Sequence, residues 1–293
     1  MSNISLIIEE RAANIGNFMV GRLLPFRQKR AVGPFVFIDH MGPVKMSERE
    51  NMEVLPHPHI GLSTLTFLFD GAIMHRDSIG SEVEIQPGAV NWMTAGSGVV
   101  HSERTPERLQ DSTKSLHGLQ IWVALPKELE ETSPSFTHID ANQIPEWQED
   151  SISFKLIAGE ALDKKSPVPV HSHLYFIEIK SQNATKVSIG DKLYGESALY
   201  ILNGSVFSEG NEYGPKQILV AKDAKLCEFD IAENSTVYIF GGESFPEERY
   251  IDWNFVSSSK ERLAKAKEDW INQKFPKVVG ETDFVPYPTF KKS

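Results

Sequence analysis

Nine histidines are spread over the 293 residues, and two short segments set them at a spacing that suits metal binding. His57-Pro58-His59 and His101-Ser102-Glu103 each place two donor side chains at positions i and i+2. On a β-strand such residues point to the same face. Two such strands side by side would therefore gather three imidazoles and one carboxylate around one point. That is a donor set for a divalent transition metal, with coordination positions left for water or substrate. A single His-X-His is commonly a pair of core or surface histidines. Spacing alone leaves both readings open.

Parity along the strands predicts what else would face the donors. A strand running unbroken from His57 would put Leu65, Phe67 and Phe69 on the ligand face and make the surroundings apolar, unless Gly61 carries a bulge that resets the register. Phe67-Leu68-Phe69-Asp70-Gly71-Ala72-Ile73-Met74 reads as a hairpin with an Asp-Gly turn. That hairpin would pair His75 with Thr66 and turn it away from the donors. His117 shares parity with Leu119, Ile121 and Val123 and is expected to point inward. His40 and His138 fall in turn or linker sequence. His171-Ser172-His173 is followed by no further histidine, so a structural or surface role is expected for it.

The elements that must position these residues are mostly strands. The first 125 residues alternate short apolar runs with Gly, Pro and Asp, and long 3.6-residue periodicity is missing. A second β-rich stretch begins at Ile152. It carries its own predicted hairpin at Asn203-Gly204, which hints at a duplicated β unit. Between the halves lies a polar, acidic segment with Pro126, Pro134 and Pro145. This predicts a first domain over 1–130, a linker over 131–150, a second domain over 151–245 and a helical tail over 246–293. In that tail Leu263, Ala266, Trp270 and Ile271 share one helical face, so a helix is expected over 259–273. Ser258 would be its N-cap, with Glu261 closing a capping box.

Composition limits the function classes. Forty acidic against 30 basic residues give a net charge of −10, which disfavours binding to a nucleic-acid backbone. The one cysteine, Cys227, excludes an intramolecular disulfide and a thiolate metal cluster. No apolar run approaches the roughly 20 residues of a membrane span. With no signal-peptide pattern at the start, a soluble cytoplasmic protein is the expectation.

Several runs together resemble the pirin family of the cupin superfamily: Pro34 to Pro43 (PFVFIDHMGP), His57-Pro58-His59, His75 to Gly80 (HRDSIG), Asn91 to Glu103 (NWMTAGSGVVHSE) and His117 to Val123 (HGLQIWV). The resemblance is dense over 19–126 and thinner afterwards. It implies an all-β bicupin, two antiparallel jelly-roll barrels with a C-terminal helix, the second barrel without metal. It carries the family's metal ligands onto His57, His59, His101 and Glu103. Many pirins have a glutamate where this chain has Ser63, which would make the pocket less negative. Some pirins are similar to quercetin 2,3-dioxygenases, which open a flavonol ring with O₂ and release carbon monoxide. That implies one divalent ion, Fe(II) first, with Glu103 as the general base and aromatic walls such as Phe67 around a flat substrate. The alternative is an iron-dependent redox sensor that binds a transcription factor or a metabolic enzyme. Imidazoles with reference pKa near ~6.5 predict that acid weakens the site.

Overall fold

Short runs of β-branched and aromatic residues closed by Gly, Pro and Asp favour many short strands over few long ones. The computed structural model describes residues 3–189, 192–222 and 228–288, so Cys227 lies outside the described residues. The strands of the first half are β1 (Ile4–Glu9), β2 (Arg11–Ile15), β3 (Phe18–Leu24), β4 (Phe35–Met46), β5 (Glu53–His59), β6 (Leu62–Gly71), β7 (Ile73–Asp77), β8 (Glu82–Ile85), β9 (Val90–Thr94), β10 (Val99–Arg104), β11 (Lys114–Ala124) and β12 (Ser135–Ile139). Those of the second half are β13 (Glu146–Glu149), β14 (Ile152–Ala161), β15 (Lys164–Lys165), β16 (Leu174–Ser181), β17 (Thr185–Ser188), β18 (Glu196–Asn203), β19 (Val206–Ser208), β20 (Asn211–Tyr213), β21 (Gln217–Ala221), β22 (Glu228–Ile231), β23 (Thr236–Gly242), β24 (Tyr250–Asp252) and β25 (Phe255–Ser257). One α-helix, α1 (Lys260–Ile271), follows. No helix among the described residues is long and apolar enough to cross a membrane.

Two compact units divide the chain. One comprises the described residues of Met1–Arg11, Gly21–Asp39 and Ile139–Phe245, the other those of Ala12–Val20, His40–His138 and Pro246–Ser293. The strand orders show a duplication. A four-stranded sheet runs β5-β10-β7-β8 and a larger one contains β9-β6-β11-β4; adding twelve to every label gives β17-β22-β19-β20 and β21-β18-β23-β16, both observed. In each repeat the chain passes back and forth between a small and a large sheet, as in a jelly roll, with only β7–β8 and β19–β20 staying in the small one.

Both predicted hairpins are corners instead. Strand β6 pairs with β9 and β11, whereas β7 pairs with β8 and β10. Likewise β18 pairs with β21 and β23, whereas β19 pairs with β20 and β22. The physical reason lies in what the Asp-Gly signal reports, which is backbone at positive φ rather than pairing. Gly71 sits at φ +86°, and a Cβ there would lie 2.1 Å from the Ser115 carbonyl oxygen. A corner between sheets demands that conformation as firmly as a tight hairpin does.

In the first repeat Val54, Ile73 and Ile85 of the small sheet pack with Met41, Leu68 and Leu116 of the large one. In the second repeat Val187, Phe229 and Ile231 of the small sheet pack with Ile177, Leu199 and Ile239. Helix α1 begins one residue later than expected. Ser259 is the N-cap, its hydroxyl accepting from the Arg262 amide at 3.2 Å, while Ser258 gives its amide to Glu130 at 2.8 Å. Its apolar stripe, Leu263, Ala266 and Trp270, packs with Ile60, Val100 and Phe255. Beyond it the chain lies along β5 and β10. The Val285 amide donates to the Pro56 carbonyl at 2.8 Å, and Glu281 accepts from Ser102 Oγ and, at 2.7 Å, from Arg104.

One ion pair ties this C-terminal segment to the first repeat's loops. Glu130 accepts from Ser257 Oγ at 2.7 Å and lies 3.2 Å from Arg249 Nε; both charged side chains are buried. Replacing Glu130 with Ala takes the buried carboxylate from Arg249 and leaves it the more exposed Glu247 at 3.5 Å, so urea denaturation of Glu130→Ala is expected to show a loss of about 3 kcal/mol, the low end for a broken buried pair. A loss below about 1 kcal/mol, typical of an exposed pair, would contradict this account.

Candidate metal centre

Strand β5 lies at the edge of its sheet, where the missing N–H groups of Pro56 and Pro58 cost no ladder bonds. His57 and His59 therefore keep strand spacing and one facing direction. On the neighbouring β10, His101 stands directly opposite His57, and their ring centroids are 4.3 Å apart. One nitrogen from each of His57, His59 and His101 lies within 4.8 Å of the others. His59 Nε2 and His101 Nε2 are 3.1 Å apart.

Those nitrogens are suited to a cation. His57 Nδ1 donates to the Leu55 carbonyl at 2.9 Å and His59 Nδ1 to the Asn254 carbonyl at 3.1 Å. Each ring then presents its Nε2 lone pair to the interior. Two donors each about 2.1 Å from one ion stand about 3.0–3.4 Å apart, which matches the observed Nε2 separation. Burial, the largest influence, holds His57 down to about 4 and pushes His59 and His101 well below the ordinary imidazole value. All three are neutral donors at physiological pH.

Glu103 is buried two residues beyond His101 on the same strand. Beside it, the Thr66 hydroxyl donates to Gln120 Oε1 at 2.9 Å. Burial raises the pKa of Glu103, an effect that His75 and Thr66 only partly offset. The tight set of ligand atoms consists of the three imidazoles.

His75, expected to face away, is a neighbour of these groups. Because β7 pairs with β10, His75 stands opposite Glu103, and its Nδ1 is 3.4 Å from His101 Nδ1. Its Nε2 is 3.1 Å from Asp77 Oδ2, and the Phe136 ring stacks on it at 4.5 Å. The His75-Arg76-Asp77 spacing carried the same i, i+2 signal as the ligand pairs, and the hairpin assignment obscured it.

The faces of β6 and β11 are also the reverse of the expectation. Gly61, at φ +66°, breaks the run between β5 and β6, so the parity counted from His57 does not carry through. Trp122 meets His59 edge-on at 5.0 Å and pairs with Thr64, while Gln120 pairs with Thr66. Thr64, Thr66, Gln120 and Trp122 thus share the histidine face, and Leu65, Phe67 and Ile121 occupy the other. Phe67 is no wall of this site; its ring contacts Phe69. Ser63 also lies on the far face, where its hydroxyl pairs with Thr94 at 3.1 Å, so its identity leaves the charge of the metal pocket unchanged. His117 points away as well, and its Nε2 is 2.8 Å from that of His40 on β4. His138 bonds Asn91 at 2.7 Å. His173 is exposed, stacked on Tyr194 and 3.2 Å from Glu243.

Two jelly-roll repeats, the first with a buried histidine triad, define a bicupin whose N-terminal barrel is equipped to hold a metal. The chain belongs to the pirin family: the pirin profile matches residues 17–123, and that of the pirin C-terminal cupin domain matches 176–276. It is 45% identical to a pirin-like protein of Caulobacter vibrioides over 97% of this chain and 99% of that one. A crystal structure of quercetin 2,3-dioxygenase from Acinetobacter baumannii is 33% identical, covers 98% of this chain and 96% of its own, and superposes with a TM-score of 0.88. A second quercetin 2,3-dioxygenase structure from that organism is 26% identical, with 94% and 98% covered and a TM-score of 0.85.

The lowered imidazole values set the pH dependence. An unfolded histidine takes up a proton near ~6.5, whereas folded His57 does so only near 4. Between these values the unfolded chain binds more protons, so stability falls as pH falls. Thermal melts of metal-free protein should show Tm dropping as pH is lowered from about 7.5 to 5, most steeply below about 6.5. A flat profile over that range would contradict the burial of neutral imidazoles. Half-release of a bound metal should come below pH ~6.5, lower than exposed histidines would allow.

Proposed function

We propose that this pirin is a dioxygenase of the quercetin 2,3-dioxygenase type, opening a flavonol-like ring with O₂. The carrying observation is the buried triad of imidazole nitrogens, with the buried carboxylate of Glu103 two residues beyond His101 on the same strand. In this reading His57, His59 and His101, with Glu103 as the fourth donor, hold one divalent ion, Fe(II) in the reducing cytoplasm. A bound ion supplies Lewis-acid polarisation of the flavonol oxygen and redox contact with O₂.

The chain's own residues supply the rest. Glu103, buried two residues beyond His101 on the same strand, is the carboxylate that accepts the proton of the flavonol 3-hydroxyl. Thr64, Thr66, Asn91 and Gln120 line the histidine face with hydroxyl and amide groups, which suits a ring system carrying several hydroxyls better than an apolar lining would. Sites built to bond a substrate hydroxyl reject analogues that lack it. Trp122 packs edge-on against His59, and Phe136 stacks on His75, the neighbour of His101.

The test is O₂ uptake and carbon monoxide release by iron-loaded protein given quercetin. Glu103→Gln keeps an oxygen donor but loses basicity, and should lower kcat at least ~100-fold while metal content stays near wild type. Turnover close to wild type in that variant would remove Glu103 as the base. No uptake by fully loaded wild type, combined with a protein partner bound differently by its Fe(II) and Fe(III) forms, would favour the redox sensor instead.

A further inference from the structure

Of the three triad imidazoles, His57 and His59 have their tautomers set by backbone carbonyls, which only accept. His101 does not. Its Nδ1 faces another imidazole nitrogen, His75 Nδ1, at 3.4 Å. Two neutral imidazoles can share one proton in either direction, and only one direction leaves His101 Nε2 free to bind a metal. What decides the direction is the group on the far side of His75.

That group is the Asp77 carboxylate. Asp77 Oδ1 accepts the backbone amides of Ile79 at 3.0 Å and Ser81 at 2.8 Å, which leaves Oδ2 for His75 Nε2 at 3.1 Å. A carboxylate held ionised by amide donors accepts and does not donate. His75 must then carry its proton on Nε2 and offer the Nδ1 lone pair to His101. His101 in turn must carry its proton on Nδ1 and turn a bare Nε2 to the interior. The strand register builds this chain: β7 pairs with β10 so that Asp77 stands opposite His101 and His75 opposite Glu103. Phe136, stacked on His75 at 20° between ring planes, keeps the His75 ring in the plane that both bonds need.

We propose that Asp77 and His75 form a tautomer-setting relay that orients His101 as a metal ligand, with both acting as positioning residues that touch neither metal nor substrate. The relay rests on the reading of His101 as a ligand, although its hydrogen-bond chain is formed by protein groups alone. Asparagine at 77 can donate its amide N–H to His75 Nε2. That would put the His75 proton on Nδ1, facing the proton of His101, and reverse the His101 tautomer. The change of carboxylate to amide beside the catalytic histidine of the serine proteases, which leaves geometry intact but supplies the wrong tautomer, is the chemical precedent.

The experiment uses full-length protein and two readouts. Ring ¹⁵N signals of His101 in the metal-free wild type should report a protonated Nδ1, and Asp77→Asn should shift the population toward protonated Nε2. A wild-type His101 protonated on Nε2 overturns the relay without reference to any metal. For the second readout Zn²⁺ is titrated against a competing chelator. Asp77→Asn and His75→Leu should weaken binding about 10–100-fold, the range seen when a ligand's outer partner is lost. His75→Gln, whose amide oxygen can still accept from His101 Nδ1, should bind within about threefold of wild type, a rescue that a merely space-filling His75 would not show. His101→Ala is the control. Loss of Zn²⁺ by His101→Ala with wild-type binding in Asp77→Asn and His75→Leu would overturn the relay and leave the triad standing. Wild-type binding by His101→Ala would sink the triad, and the ¹⁵N signals would still decide the relay.

Discussion

Taking three imidazoles out of water within a few ångströms of one another is the constraint on which the rest of the first barrel depends. Buried polar rings must find hydrogen-bond partners, and buried neighbouring rings cannot all be charged. Both requirements lead to the same arrangement. Each imidazole gives one N–H outward to an acceptor and turns one lone pair inward, so the group is neutral, rigid and shaped for a cation. The barrel interior supplies the burial; carbonyls and a second imidazole supply the acceptors. Removing an acceptor would therefore disturb the donor as well as the fold around it.

Much of this was legible in the sequence. The i, i+2 spacing of His57/His59 and His101/Glu103 predicts donors on strands, and Pro56 and Pro58 are consistent with the edge position of β5. The helix at the C-terminus follows from its apolar stripe, with the cap displaced by one serine because Glu130 engages Ser258. What could not be read was which strands pair. Asp70-Gly71 and Asn203-Gly204 advertise a backbone conformation common to hairpins and corners, and choosing the hairpin sent His75 to the wrong face. Local sequence specifies φ and ψ, whereas sheet membership is set by partners tens of residues away. Gly61 caused the second error. Once it interrupts the strand, a count begun at His57 assigns Leu65 and Phe67 to the pocket when Thr64 and Thr66 belong there.

The duplicated strand order shows how one architecture accommodates two interiors. Val187 pairs with Phe229 on β17 and β22, the strands equivalent to β5 and β10, and both side chains join an apolar core. In the first repeat the same pair of strands brings His57 opposite His101. The exchange of a dry, packed centre for a polar one needs no change of topology. It needs only acceptors placed behind the rings.

One of those acceptors comes from far along the chain. The carbonyl that fixes His59 belongs to Asn254, 195 residues later, and the segment that lies along β5 and β10 is later still. During synthesis at about 5–20 residues per second, the His59 ring emerges some 10–40 s before its partner has been polymerised. A nascent first barrel therefore holds every imidazole of the triad before the carbonyl that orients one of them has been made. The last outward partner of the triad is thus supplied by the turn between β24 and β25, made only after the second repeat has been synthesised.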